Sequence, residues 1–222
     1  MRVAFGEFVL DTARRELSRG GARVHLERIS TGAGVALVAH AKSQGARLTC
    51  DVGVHHLHLS DRDIAEFDAN CRLSPPLREP GDRDRLRAGL ADGTIDAVCS
   101  DHTPVDEDAK QVPFGEAEPG ATGLELLLPL TLKWGRESGL KAVEALGAVT
   151  HRAARILGVE AGTLAPGRAA DICLFDPDAA WIVRSDALES QGKNTPFQGL
   201  ELTGRVVRTL VGGRTVFGRD AK

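Results

Sequence analysis

The strongest constraint on the fold is a regular alternation of apolar strand patterns and helical patterns that begins at residue 23. Strand-like segments lie at Arg23–Ile29, Ala46–Val54 and Ile95–Ser100. Helical patterns occupy the segments between and after them, at 31 to about 44, Asp82–Ala91, Leu124–Trp134 and Lys141–Leu157. Strands that alternate with helices pair in parallel, because each helix carries the chain back across the sheet. The pattern therefore predicts three strand–helix units on one parallel sheet.

The chain changes character after residue 158. Gly162–Asp176, Ala180–Arg184 and Gly204–Gly218 have the pattern of short antiparallel strands, and Gly212-Gly213 between Val- and Leu-rich runs predicts a hairpin. A closed (β/α)8 barrel takes eight units and ~250 residues. We therefore predict an α/β fold with an incomplete (β/α)8 barrel and a small C-terminal β module, divided as residues 1–25, 26–158 and 159–222.

Composition excludes several classes of protein. The apolar fraction of 42% is enough for a core, and the net charge of −3 gives no general attraction to nucleic acid or to an anionic membrane. No apolar run approaches the ~18–20 residues of a membrane span, and Glu7 and Asp11 argue against a secretory signal. The cysteines show no CxxC spacing, so we expect reduced thiols in a cytoplasmic protein. They are Cys50, Cys71, Cys99 and Cys173.

Asp101 is the first candidate for a chemical role. It follows the predicted strand Ile95–Ser100 directly, so it lies at the carboxyl end of that strand. Barrel hydrolases place a metal ligand and proton-transfer base at such a position. One carboxylate cannot hold a catalytic zinc by itself. A metal-dependent function therefore depends on whether the rest of the chain supplies further ligands.

Five segments together resemble the dihydroorotases of the amidohydrolase superfamily. They are Pro75–Arg78, Leu90–Asp96, Ser100–Pro104, Thr122–Glu125 and Gly162–Asp176. The resemblance runs from about residue 25 to residue 219 and implies the last three barrel strands with the closing part of a β-sandwich. It implies a zinc centre and reversible hydrolysis of the cyclic amide of dihydroorotate to carbamoyl-aspartate in pyrimidine biosynthesis. Asp101 then matches the last-strand aspartate, which is both a metal ligand and the catalytic group that moves the proton.

Departures from the family pattern concern the metal site above all. Arg28 stands where the family has its sixth-strand histidine, Ser74 where it has a substrate-contacting asparagine, and Val105 where it has a second histidine. The remaining ligands of the family lie upstream of the matching region. The resemblance thus leaves Asp101 as the one retained metal ligand, and Arg28 would repel a cation. We expect zinc binding to be doubtful and this chain alone not to be a competent dihydroorotase.

Three functional hypotheses stay open. The first is a dihydroorotase-family protein that is inactive alone. The second is a non-catalytic assembly subunit, since the substitutions and the loop Asp106–Gly120 resemble a divergent bacterial branch in which some members are partners of aspartate carbamoyltransferase. The third is a truncated fragment. An open three-stranded sheet leaves unpaired edges, so we also expect an oligomer or another bound partner.

The first 25 residues resemble a different family. Phe5–Asp11, Ala13–Leu17 and Gly20–Val24 look like the opening β-hairpins of winged-helix response-regulator effector domains. The resemblance stops before any recognition helix, and direct readout of DNA needs such an element in the groove. We therefore predict no nucleic-acid partner and a fused segment joined near Val24–Arg28.

Several other polar residues have competing interpretations. His56 and His58 would share a face if they lay on a strand, but they follow the strand that matches the family's seventh, so packing is favoured over zinc ligation. His55 and His56 match a histidine pair of the family, for which a structural role is expected. His102 either tunes Asp101 or donates to backbone. Three acidic residues are expected to be exposed to solvent: Asp106, Glu107 and Asp108. Arg152 and Arg155 are expected to face either solvent or a carboxylate.

Overall fold

The computed structural model describes residues 2–5, 8–11, 16–18 and 24–219. The first three strands, β1 (Arg2–Phe5), β2 (Phe8–Asp11) and β3 (Glu16–Ser18), form an antiparallel sheet in the order β1-β2-β3. Antiparallel pairing agrees with the predicted hairpin character of this segment. Residues 12–15 and 19–23, which the winged-helix resemblance also used, lie outside the described residues, and that resemblance stays a prediction.

The predicted parallel sheet is confirmed. It consists of β4 (Val24–Leu26), β5 (Leu48–Gly53) and β6 (Ala97–Cys99) in the order β4-β5-β6, with both pairs parallel. All three strands are shorter than the sequence predicts. Side chains alternate between the two faces, and Cys50 and Val52 on one face are fully buried. Asp51 points to the other face, which is partly open.

Five helices accompany the strands. They are α1 (Gly32–Ser43), α2 (Pro80–Ala91), α3 (Leu127–Glu137), α4 (Ala142–Gly147) and α5 (His151–Leu157). Thr31 caps α1, since its Oγ1 accepts a hydrogen bond from the Gly34 amide at 3.0 Å. Pro80 occupies the first turn of α2, where its missing N–H costs nothing. The helices in the described ranges are too short or too polar to cross a bilayer.

The prediction of one helix over Lys141–Leu157 is wrong. The chain forms two helices, and the Ala148 carbonyl between them accepts a hydrogen bond from the Val98 amide at 3.1 Å. A carbonyl that bonds to strand β6 leaves the helical ladder, so the helix ends at Gly147. This contact also satisfies a backbone donor on β6.

The C-terminal module is a three-stranded antiparallel sheet of β7 (Ile172–Ile182), β8 (Glu201–Val211) and β9 (Arg214–Gly218). The hairpin at Gly212-Gly213 is confirmed, with φ of 54° and 78°, angles that favour glycine. The predicted strands Gly162–Asp176 and Ala180–Arg184 are replaced by the single strand β7. A register shift lies after Asp176, whose Oδ1 accepts from the amides of Asp178 and Ala179 and so forms a local turn within β7.

Strand β8 packs on helix α3 and joins the module to the parallel sheet. Gly204 makes the closest approach: a Cβ at this position would lie 2.7 Å from Leu132 Cδ1. The Gly204 carbonyl accepts a hydrogen bond from Trp181 Nε1 at 3.3 Å. Leu202 and Trp134 belong to the same buried apolar cluster as the sheet residues. The core therefore extends from the parallel sheet through α3 into the module.

Candidate functional site at the carboxyl edge of the sheet

Asp101 and Arg28 lie together where the parallel strands end. Asp101 follows β6 by two residues and Arg28 follows β4 by two residues. Both have positive φ, 44° and 53°. A non-glycine residue in this region carries a strain of about 1–3 kcal/mol that surrounding contacts must offset. Strained backbone recurs at functional sites, so this edge of the sheet is the candidate site.

The Arg28 guanidinium is the nearest positive charge to Asp101. Arg28 Nη1 lies 3.3 Å from Asp101 Oδ1 and also donates to the Ser74 carbonyl at 3.0 Å. The Arg28 amide donates to Asp51 Oδ1 at 2.8 Å. Asp101 is largely buried and Arg28 is about half exposed. The residue predicted to replace the family's histidine, Arg28, therefore lies beside Asp101, the residue predicted to be the retained ligand.

Asp51 is a site residue that the sequence analysis missed. Its Oδ2 accepts from His25 Nε2 at 2.9 Å, and His25 Nδ1 lies 2.9 Å from Thr49 Oγ1. With the bond to the Arg28 amide, these contacts form a polar chain on the open face of the sheet. The signal was available, because Asp51 is the one charged residue in the strand Leu48–Gly53. A carboxylate within a buried strand usually has a specific partner.

The neighbouring thiols stay protonated near neutral pH. Burial raises the pKa of the Cys99 thiol far above its usual range, and the Asp51 carboxylate raises it further. Burial also raises the pKa of Cys50 to about 11 and that of Cys71 to about 12. A metal binds the thiolate rather than the thiol, so these side chains are poor ligands.

The three histidines that follow β5 are packing residues in this structure. Val54–Leu57 forms a 3-10 turn, not a strand, so the His56/His58 pair does not share a strand face. Their Nε2 atoms donate to different carbonyls, those of Pro75 at 3.1 Å and Leu130 at 3.0 Å. His56 Nδ1 and Asp101 Oδ2 each lie 3.3 Å from the position a Cβ would take at Gly53. His56 thus borders the carboxylate while its other nitrogen is engaged.

His55 is fully buried and stacks on Phe197 with 5.8 Å between ring centroids. Its Nε2 donates to the Thr122 carbonyl at 3.1 Å, and its Nδ1 has no hydrogen-bond partner among the described residues. Burial lowers the pKa of His55 to about 4, and burial likewise lowers that of His58 to about 4. Burial also lowers the pKa of His56, although the Asp101 carboxylate opposes the shift.

His102 bonds to backbone, but as an acceptor. Its Nδ1 accepts from the amides of Gly123 at 3.2 Å and Leu124 at 3.3 Å. The predicted donation of a hydrogen bond from His102 to backbone is therefore wrong, because its ring nitrogen accepts instead. The acidic residues of the turn that follows are exposed, as predicted: Asp106, Glu107 and Asp108.

Asn194 fixes the loop that follows Asp101, and no sequence pattern points to this role. Its Oδ1 accepts from the Val105 amide at 3.0 Å. Its Nδ2 donates to the carbonyls of Thr103 at 3.0 Å and Gly120 at 3.2 Å. Three hydrogen bonds from one buried side chain thus hold both arms of the loop. Ser74 and Val105, which the sequence analysis also predicts to be departures from the family pattern, take part through backbone groups. The Ser74 carbonyl accepts from Arg28, and the Val105 amide donates to Asn194.

Comparison with known proteins places this arrangement in a family. The model of the amidohydrolase family matches residues 26–216. This chain belongs to the amidohydrolase family. The dihydroorotase of Geobacter sp. (strain M21) is 41% identical over 197 residues, which are 89% of this chain and 46% of that protein. The dihydroorotase of Pelotomaculum thermopropionicum is also 41% identical, over 88% of this chain and 46% of that protein.

Solved structures give the same fold. L-hydantoinase (dihydropyrimidinase) from Arthrobacter aurescens is 29% identical and superposes with a TM-score of 0.83, over 90% of this chain and 46% of that one. The chain therefore spans about half the length of the relatives that it matches. The predicted resemblance to dihydroorotases is confirmed, and so is the incomplete amidohydrolase barrel.

Amidohydrolases of this kind generally use zinc, but the residues of this chain do not fit a catalytic zinc. The described residues contain no group of three or more His, Cys, Asp or Glu side chains that could hold a metal ion. The Arg28 guanidinium lies 3.3 Å from the carboxylate of Asp101, which would be a ligand. Unlike charges attract and like charges repel in this partly buried setting, so Arg28 disfavours a metal there.

Proposed function

We propose that this chain is a dihydroorotase-like protein of pyrimidine biosynthesis that does not catalyse the ring reaction by itself. The observation that carries this proposal is the contact of Arg28 Nη1 with Asp101 Oδ1 at 3.3 Å. Hydrolysis of a cyclic amide needs an activated water and a group that transfers its proton. Here the one carboxylate that matches the family's proton-transfer residue is committed to a guanidinium. His55 and His56, the histidines that follow β5, donate to backbone carbonyls through Nε2.

Zinc content and turnover test the proposal together. We expect the purified chain to contain well below one zinc per chain and to cyclise carbamoyl-aspartate no faster than a protein-free blank. Asp101→Ala should change neither value. Asp106→Ala removes the same charge from an exposed position and serves as the matched control. Stoichiometric zinc with turnover that is lost in D101A and retained in D106A would contradict the proposal.

A second candidate function is assembly with aspartate carbamoyltransferase. It is supported by apolar side chains that remain exposed after helix α4, at Leu157, Leu164 and Val216, of which Leu164 is 85% exposed. Exposed apolar side chains mark a protein-binding surface when they form one continuous patch, and the assembly function requires that these three do so. The parallel sheet also ends at β4 and β6 in the described part of the chain.

Co-elution on a sizing column tests the assembly function. We expect a mixture of this chain with aspartate carbamoyltransferase to elute earlier than either protein alone, with both present in the leading peak. Val216→Lys should weaken the complex, because it places a charge on the exposed apolar surface, whereas Arg62→Lys should not. Separate elution of the two proteins at micromolar concentration counts against this function.

The third hypothesis, a truncated fragment, is tested by whether the DNA upstream encodes the family's missing histidines.

A further inference from the structure

A cavity lies at the amino-terminal edge of the parallel sheet, away from Asp101. Its volume is about 410 Å³, within the range of small-molecule sites, about 300–1,000 Å³. Arg47, which precedes β5, and Asp96, which precedes β6, form one wall, and helix α5 forms the other. Because the strands are parallel, residues before β5 and residues after β6 lie at opposite edges. The cavity is therefore separate from the candidate site.

The cavity has an excess of positive charge. Arg47 and Arg152 make no ion pair or hydrogen bond with a side chain in the part of the chain that the structure describes, and Arg155 also lines the cavity. The carboxylate in the wall, Asp96, is already neutralised: its Oδ2 accepts from Lys42 Nζ at 2.8 Å and from the Cys50 amide at 2.8 Å. Among the described residues, Arg47 and Arg152 are thus left without a counter-charge.

Two of the polar side chains of the lining, His151 and Arg152, meet over a glycine. A Cβ at position 147 would lie 2.6 Å from His151 Cε1 and 3.5 Å from Arg152 Nε. The absence of a side chain at Gly147 lets both groups lie together on the cavity wall. The rest of the lining includes Thr49 and three apolar side chains, of which Leu48 and Ile95 are buried. An apolar floor with guanidinium groups at its rim suits a small organic molecule that carries an oxyanion.

We infer that this cavity binds a small molecule through a phosphate or diphosphate group. Guanidinium groups form paired, charge-assisted hydrogen bonds with phosphate oxygens, and Arg47 and Arg152 supply two such groups from separate elements. His151 adds a ring nitrogen beside Arg152. The inference does not depend on the proposed function, since it uses none of the residues near Asp101.

Calorimetric titration with inorganic pyrophosphate tests the inference. We expect the chain to bind pyrophosphate, with an affinity that falls as sodium chloride is raised. Arg47→Gln and Arg152→Gln should each weaken binding by about tenfold or more, the loss of one charge-assisted contact. Arg62→Gln removes the same charge from an exposed position outside the cavity lining and should bind as the unmodified chain does. Asp101→Ala should also leave binding unchanged.

Other outcomes overturn the inference. Absence of pyrophosphate binding, or binding by R47Q and R152Q as tight as that of the unmodified chain, would show that the cavity is not the site. Succinate is the comparison ligand, because it carries two negative charges on carboxylates; equal affinity for succinate would overturn the preference for phosphate. Arg47→Lys keeps the charge without the planar fork and should bind with intermediate affinity. If R47Q fails to fold, as judged by circular dichroism, R47K is the variant that tests the role of Arg47.

Discussion

Replacement of Gly123 by alanine is expected to lower the free energy of unfolding by about 3 kcal/mol or more. An added Cβ would lie 2.0 Å from the Ser100 carbonyl oxygen and 3.0 Å from His55 Cε1. This oxygen belongs to the backbone just after β6, so it cannot rotate away as a flexible side chain would. Relief of the clash must therefore move either Asp101 or the segment that contacts His102. Urea denaturation measures the effect as a lower transition midpoint with an unchanged m-value.

Gly115→Ala is the matched control for this prediction. Gly115 lies in the same long loop, is exposed, and has no atom within 4 Å of an added Cβ. Its replacement should change the free energy of unfolding by no more than about 0.5 kcal/mol. Equal stability of the two variants would mean that Gly123 does not approach Ser100 closely. The environment of Asp101 would then differ from the one described above.

Local chemistry explains which parts of the fold could be predicted. The alternation of strand and helix patterns predicted the parallel sheet, Thr31 predicted the start of α1, and Gly212-Gly213 predicted the β8–β9 hairpin. Each depends on residues adjacent in sequence. The proximity of Asp101 and Arg28 also follows from sequence, because parallel strands end at one edge and an arginine is long enough to reach across β5.

Long-range contacts explain what could not be predicted. The break between α4 and α5 depends on a hydrogen bond from Val98, about fifty residues earlier. The role of Asn194 depends on Thr103, Val105 and Gly120, which no nearby pattern connects to it. The same reasoning applies to the amino-terminal cavity, whose arginines come from distant parts of the chain. Short-range periodicity contains no information about such partners.

Acidification is expected to destabilise the fold strongly between about pH 6.5 and pH 4. Burial lowers the pKa of His55 and of His58 from 6.5 to about 4. Between these values the unfolded chain binds protons that the folded chain does not, so the free energy of unfolding falls as pH falls. The contribution is fully present above pH 6.5 and is lost by about pH 4. At 1.36 kcal/mol per pKa unit, each histidine contributes about 3 kcal/mol.

Urea denaturation at a series of pH values between 7.5 and 4.5 tests this expectation, with His58→Gln as the informative variant. Glutamine keeps a donor for the Leu130 carbonyl but cannot be protonated, so the pH slope should fall by about one proton. The charged neighbours of His58 are Arg87, Glu137 and Lys133. His40→Gln alters an exposed histidine and should leave the slope unchanged. A slope in H58Q equal to that of the unmodified chain would show that His58 is not held neutral, and the packing assigned to the histidines after β5 would be wrong.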